Sequence, residues 1–364
     1  MNIQAKIAAI FPYTLMIVGG ICPQSSLASE TLEEVRDTGF GASSANMEAL
    51  VRTPELDERF RLGGSLDVEA QSYFLDATAS RRSYLFNPNS LRLYFESRLK
   101  NDIRGFGKFR ATYDPVAGTG GVSSPLSGTV YPRIQADLEE LKLQFNAASR
   151  VFFTVGKQKI RWGSGRFWNP SDFLNSVDRD PLSTEDLRSG VSLIKTHVPL
   201  ASSNAYLVQR VDGADRISRI QNALRFEAPL WEASEGGVTA VWTSGLKPAF
   251  SLDLSSDVIG NFDANVEAVA SCGTAGPFAD RWKPTLLAGF SYDFPYAERD
   301  VFTIAAEYFR NPFGLTSKED YLATILAGAY RPNRLARDYA MVYLFMPGPG
   351  SWDDWSFILF QLVN

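Results

Sequence analysis

One histidine and two cysteines are all that 364 residues offer for imidazole or thiol chemistry. A serine or cysteine hydrolase of the usual kind needs a histidine base oriented by an acid. The single candidate, His197, lies in Lys195-Thr196-His197-Val198-Pro199 beside a turn, the setting of a solvated rim side chain. A histidine-based metal site is excluded by number. Carboxylates alone can hold calcium, and Asp178, Asp180, Glu185 and Asp186 cluster in sequence. Their spacing lacks the glycine and the terminal bidentate acid of a calcium loop. Gly118 to Gly121 lies in a polar stretch with no helix after it, so it is a linker and no phosphate cradle. No enzyme chemistry, cofactor or metal is expected.

Long apolar runs are missing too. Nothing after residue 28 approaches the ~18 residues that a spanning helix requires; Tyr321 to Tyr330 reaches about half of that. An excess of positive charge is also lacking. The formal net charge is −5, and it becomes −6 if Lys6 is removed with a leader. That balance argues against nucleic acid or another polyanion as partner. Lys6, the apolar run Ile7 to Cys22 and Ser26-Leu27-Ala28 describe a cleavable signal peptide over 1–28, with the cut after Ala28. Ile21 before Cys22 disfavours a lipoprotein site. Cleavage leaves Cys272 alone, so no disulfide forms within the chain. Stability then has to come from burial or from a closed hydrogen-bond network.

What the chain has in quantity is period-two alternation. Residues 29–59 are mixed and polar and read as an arm. From Phe60 onward the pattern changes. Leu91, Leu93, Phe95 and Leu99 share one strand face, and Arg92, Glu96, Arg98 and Lys100 the other. Phe109, Ala111 and Tyr113 oppose Lys108, Arg110 and Thr112; Leu141, Leu143 and Phe145 oppose Glu140, Lys142 and Gln144. About fifteen such segments follow one another. An apolar face backed by a charged one suits a wall between lipid and water. The connections alternate as well. Short turns fall at 101–102, 146–149, 199–202, 295–299 and 347–350, with long loops at 114–130, 162–189, 271–283 and 311–338. The Gly245-to-Pro248 link breaks the rule by being short where a long one is due, so the strand count is least certain there.

The stretch Val155 to Leu174 stands apart. Val151, Phe153 and Val155 carry the apolar face, but after Gly156 the odd positions become Lys157, Lys159 and Arg161 while Ile160 and Trp162 are apolar. A glycine at such a switch fits a β-bulge, and a strand leaving its apolar surroundings would look the same. The basic row either faces a lumen and sets charge selectivity or sits at an outer rim facing lipopolysaccharide phosphates. Asn169-Pro170-Ser171-Asp172 predicts a helix start, with Asn169 as N-cap, Pro170 first and Asp172 near the free donors. Asp180-Pro181 predicts a second. Trp162, Phe167, Trp168, Trp352 and Trp355 are expected among interfacial girdle residues.

With Trp162-Gly163 followed by Asn169-Pro170 and Asp172, this stretch resembles a family of porin-like outer-membrane β-barrels of Gram-negative bacteria, similar to alginate-export barrels and to related barrels of unassigned function. The motif covers about 20 of the 364 residues. The resemblance implies insertion by the barrel assembly machinery, contact with outer-membrane lipid and lipopolysaccharide, and passage of small solutes. The combined reading is an all-β, antiparallel transmembrane barrel of about 14–16 strands over 60–364, following a periplasmic arm at 29–59. Its expected function is a pore for passive diffusion, with loop 162–189 narrowing the lumen. Lys157, Lys159, Arg161, Arg166 and Asp172 are the constriction candidates. The rival is a plugged, non-conducting scaffold that binds a periplasmic or surface partner.

Strand parity adds one more expectation. If Phe60 to Leu75 runs outward, the fifteenth strand at about Ser351 to Val363 does so as well. The chain would then lack a final strand relative to an even-stranded barrel.

Overall fold

The computed structural model describes residues 60–363 apart from 69–70, 78–79, 100–102, 119–121, 124–129, 176–187, 232, 274–279, 296–300, 318–319, 322–333 and 348–355. The expected signal peptide, the arm, the second helix start at Asp180-Pro181, the acidic cluster at 178–186 and Trp352 and Trp355 lie outside the described residues. In chain order the strands are β1 (Phe60–Val68), β2 (Gln71–Ala77), β3 (Ser80–Phe86), β4 (Asn89–Arg98), β5 (Arg104–Tyr113), β6 (Val122–Ser123), β7 (Val130–Tyr131), β8 (Ile134–Ala147), β9 (Val151–Gln158) and β10 (Val191–Leu200). They continue as β11 (Ser203–Arg210), β12 (Gln221–Pro229), β13 (Ser234–Trp242), β14 (Ala249–Ile259), β15 (Phe262–Cys272), β16 (Trp282–Pro295), β17 (Val301–Arg310), β18 (Asp338–Pro347) and β19 (Ser356–Val363).

Fifteen of these form one antiparallel sheet in the order β1-β4-β5-β8-β9-β10-β11-β12-β13-β14-β15-β16-β17-β18-β19. The pairs β2–β3 and β6–β7 are separate hairpins inside two of the long connections. Every neighbour in the large sheet is also the next main strand in sequence, an up-and-down antiparallel order that short turns and long loops both serve. The first strand ends at Val68 and the last begins at Ser356, both shorter than the sequence suggests. The Gly245 region keeps the count: β13 and β14 pair from Val241↔Ala249 onward, and residues 243–248 are simply a short link at the long-loop end. Because fifteen is odd, β1 and β19 run in the same direction. Among the described residues no ladder joins them.

Register separates the two faces, since directly paired residues point the same way. One row runs Phe226↔Val238↔Leu252↔Ala268↔Leu286 across five strands. Its large side chains are exposed although apolar. The opposite face carries Tyr206↔Arg225↔Thr239↔Ser251 and, beside it, Asp253↔Glu267. The apolar face ends in aromatics. Exposed Tyr113, Trp242, Trp282 and Tyr308 stand where strands meet the long loops, while Phe262, Tyr292, Phe294 and Phe302 gather toward the short turns. The polar face is called the inner wall below.

Candidate functional site

The residues between β9 and β10 fold back onto the inner wall. Gly156 does not make a bulge: the ladders of β9 with β8 and β10 keep their register through it, with the glycine at a φ of 127°. The irregularity lies one strand away, where Lys108 pairs with Glu140 and Phe109 with Leu138, leaving Glu139 extra. Since phase is unbroken, even positions of β9 continue to face the inner wall. The apolar pattern switches because the chain beyond Gln158 turns inward and brings Ile160 and Trp162 against the wall.

There, Ile160, Trp162 and Leu174 bury themselves on Val191 and Leu193 of β10, Val208 of β11, Ala223 of β12 and Val241 of β13. Further along, Phe167 and Trp168 are 2% exposed and pack on Leu287, Ala305, Phe309, Tyr339, Met341 and Tyr343. Trp168 stacks on Phe309 at 5.5 Å, and Phe167 meets Tyr343 edge-on at 5.6 Å. Burying each ring contributes about 3 kcal/mol. So the loop crosses from β10 to β18, lying against the inner wall throughout. Trp162, Phe167 and Trp168 are therefore not girdle residues. Exposed aromatics sit on the strands themselves.

Two buried glutamates hold the backbone between these apolar anchors. Glu267 of β15 accepts the Gly165 N–H at 2.6 Å, the Ser171 N–H at 3.1 Å and the Ser171 hydroxyl at 2.8 Å. Glu307 of β17 accepts three consecutive amides, Arg166 at 2.5 Å, Phe167 at 2.8 Å and Trp168 at 3.3 Å. Carboxylates this deeply buried need such partners, because an unpaired charge in the interior is costly. The expected helix at Asn169-Pro170 is absent for the same reason. The segment is a turn, closed by Asp172 N–H donating to Asn169 C=O at 3.2 Å. The Ser171 amide that a helix would offer its cap goes to Glu267 instead. Gly163 has a φ of 95°, and a Cβ there would overlap Ser171 Oγ and Asn169 Oδ1. Trp162-Gly163 followed by Asn169 thus reads as the fold of this loop.

The candidate residues take different places. Lys157 pairs across the ladders with Leu141 and Ser192, and Leu141 belongs to the exposed apolar face, so Lys157 stands on the outer side. Lys159 turns inward, 3.8 Å from buried Glu139, which also meets Arg110 at 3.1 Å and Lys108 at 3.7 Å. The Arg161 guanidinium donates to the Gly165 carbonyl. Arg166 reaches Asp263 at 3.3 Å. Asp172 pairs with Arg188 at 2.8 Å and accepts from Asn175, which ties the middle of the loop to its C-terminal end. Near the loop, Arg225 of β12 clamps Asp253 of β14 with two bonds of 2.6 and 2.7 Å, donates to Thr239 and lies 5.6 Å from the Trp162 ring centre.

Glu267, Glu307, Arg225 and Asp253 escaped the sequence reading. A signal existed for Glu307: its neighbours on the same face, Ala305 and Phe309, are apolar, so it is an isolated acid in a stretch built to be covered. His197 stands near the short turn at 201–202, half-buried on the inner wall and stacked 4.6 Å from Tyr206.

No protein-family model and no curated protein matches the chain. Solved structures of mutants of Rhodopseudomonas blastica porin are similar to it over most of its length. One aligns at 8% identity over 84% of this chain and 100% of the porin, with a TM-score of 0.46. A second gives 8% identity, the same coverages and 0.47, and a triple mutant 8%, 84%, 100% and 0.43.

Proposed function

We propose that the chain forms an outer-membrane, porin-like channel for passive movement of small solutes. The carrying observation is the pairing of an exposed apolar outer face with an inner wall on which residues 159–175 are docked. Only a hydrocarbon environment makes an exposed row such as Phe226, Val238, Leu252 and Leu286 favourable. The docked loop sets the size limit. Charge filtering comes from the inner wall and the loop through Lys159, Arg161, Arg166 and Asp172, with Lys157 outside this group. The inner wall is sorted by sign: β9, β10 and β11 contain no Asp or Glu, whereas β13, β14 and β15 contain no Lys or Arg.

A second reading, the non-conducting scaffold, is favoured by how completely Trp168 and Leu174 are buried. Single-channel recording in a planar bilayer decides between them. Discrete current steps with a reversal potential that follows an imposed salt gradient support the channel. Protein that inserts, shows heat-modifiable migration and passes no current supports the scaffold.

A further inference from the structure

We infer that the inner wall at the short-turn end of β1, β4 and β5 is a binding site for the phosphate group of a water-soluble anion. Two arginine pairs stand directly opposite one another on β4 and β5, Arg92↔Arg110 and Arg98↔Arg104. Both lie on the inner face, because the alternate positions Leu91, Leu93, Phe95 and Leu99 carry the exposed apolar side. Like charges set opposite one another destabilise a sheet unless something neutralises them. The protein neutralises the first pair itself. Arg92 meets Asp67 at 3.3 Å, and Arg110 meets Glu139 at 3.1 Å and Asp137 at 3.8 Å. Lys108 and Lys142 of the same wall are matched as well, with Glu139 at 3.7 Å and Glu140 at 2.8 Å.

The second pair is left in excess. Arg98 donates from Nε to Glu96 at 3.1 Å, its one hydrogen bond among the described residues. Arg104 makes no hydrogen bond or ion pair among them. Neither does Arg61, which stands opposite Glu96 in the β1–β4 ladder and so shares the face. All three guanidinium groups are exposed, and Glu96 is the one carboxylate set among them. Gln144 of β8, exposed and opposite Arg104, adds an amide that can donate. The turn joining β4 to β5 closes beside the pair, through Leu99 N–H to Ile103 C=O at 2.8 Å, so the patch lies at the mouth of the wall. Two positive charges in excess match a dianion. Guanidinium forks take oxyanions two oxygens at a time, and the Glu96 bond fixes one fork while leaving its terminal nitrogens for a ligand. Phosphate has oxygens enough for several forks at once, whereas a carboxylate has two. The patch faces away from the apolar side, so the anion arrives from water and not as a lipid headgroup.

The inference rests on water reaching the inner face, as the channel reading does, but does not need current to flow. The test is therefore binding. Titration calorimetry on the full protein in dodecyl maltoside micelles, which carry no phosphate, would compare sodium phosphate with sodium succinate and sodium chloride at equal ionic strength. Phosphate should bind saturably and about fivefold tighter than succinate, and chloride should give no saturable heat. Arg104→Gln and Arg98→Gln should each weaken phosphate about tenfold, as the loss of one charge-assisted contact requires. Arg219→Gln removes the same charge from the long-loop end and should leave binding unchanged. Heat-modifiable migration checks folding, and phosphate should raise the temperature of the shift in the unaltered protein but not in Arg104→Gln. Succinate binding as tightly as phosphate, or phosphate affinity unchanged in folded Arg104→Gln, overturns the inference. So does Arg104-dependent binding of phosphatidylglycerol without binding of inorganic phosphate. Phosphate binding without any bilayer current would leave the inference standing and remove the channel.

Discussion

Glu307 Oε2 accepts the backbone N–H of Phe167 at 2.8 Å, joining positions 140 residues apart. With the Arg166 and Trp168 amides beside it, one side chain of the wall satisfies three successive backbone donors of the loop. Each donor left buried without an acceptor costs about 1–3 kcal/mol. The Glu307→Ala protein should therefore release the loop and not keep it docked with three orphaned amides. Protease should cut within 159–175 while the strands stay protected, and single-channel conductance should rise. A loop as resistant to cleavage as before would show that the aromatic packing alone holds it.

That packing has its own test in Trp168. Its indole is enclosed by Phe309, Tyr339 and Phe167. Removing a buried ring of this size costs roughly 3–5 kcal/mol. Because Trp168 belongs to the loop, the loss should fall on docking. Trp168→Ala should give faster hydrogen exchange at residues 163–171 and little change in the ladders of β12 to β15. Equal destabilisation of both would make the loop and the sheet one cooperative unit.

A third expectation concerns the Arg225–Asp253 pair, 5% and 9% exposed at the side chain. Breaking a buried pair from one side leaves a charge uncompensated and costs about 3–5 kcal/mol, while replacing both ends can be nearly neutral. Arg225→Met should lower unfolding stability in urea by that order, and Arg225→Met with Asp253→Leu should recover much of it. If the double variant is no better than the single one, the Thr239 and Glu227 bonds of Arg225 matter more than the pair.

Much of the sheet was legible in the sequence because period-two alternation is a local property and each strand carries it alone. Leu91, Leu93 and Phe95 show their face without reference to any neighbour. The helix expected at Asn169 does not form because capping propensity is local too, whereas the group that decides the matter, Glu267, comes from another strand 96 residues later. The places of Trp162 and Trp168 differ from expectation on the same ground: tryptophans in a loop look alike in sequence whether they meet lipid headgroups or a wall. Trp162 and Trp168 were thus placed by residue type, and only the register of β9 shows which way the chain turns after Gln158.

That register also divides the basic row, which the sequence presents as one feature. Lys157 shares a face with Leu141, on the outer side of the sheet. Lys159 and Arg161 follow the chain inward, one toward Glu139 and the other onto the Gly165 carbonyl. Charges within a Debye length of about 8–10 Å of a permeating ion act on it, and those across the wall are screened by solvent or headgroups. Lys159→Gln with Arg161→Gln should shift the reversal potential in a salt gradient toward the cation value, whereas Lys157→Gln should leave it where it was. Glu139 makes the magnitude informative. Removing Lys159 leaves that buried carboxylate to Arg110 and Lys108, so the local charge changes sign-weight without the site emptying. If Lys157→Gln moves the potential as far as the double variant does, the lysine reaches water from the outer rim and the strand faces assigned through Leu141 do not govern selectivity.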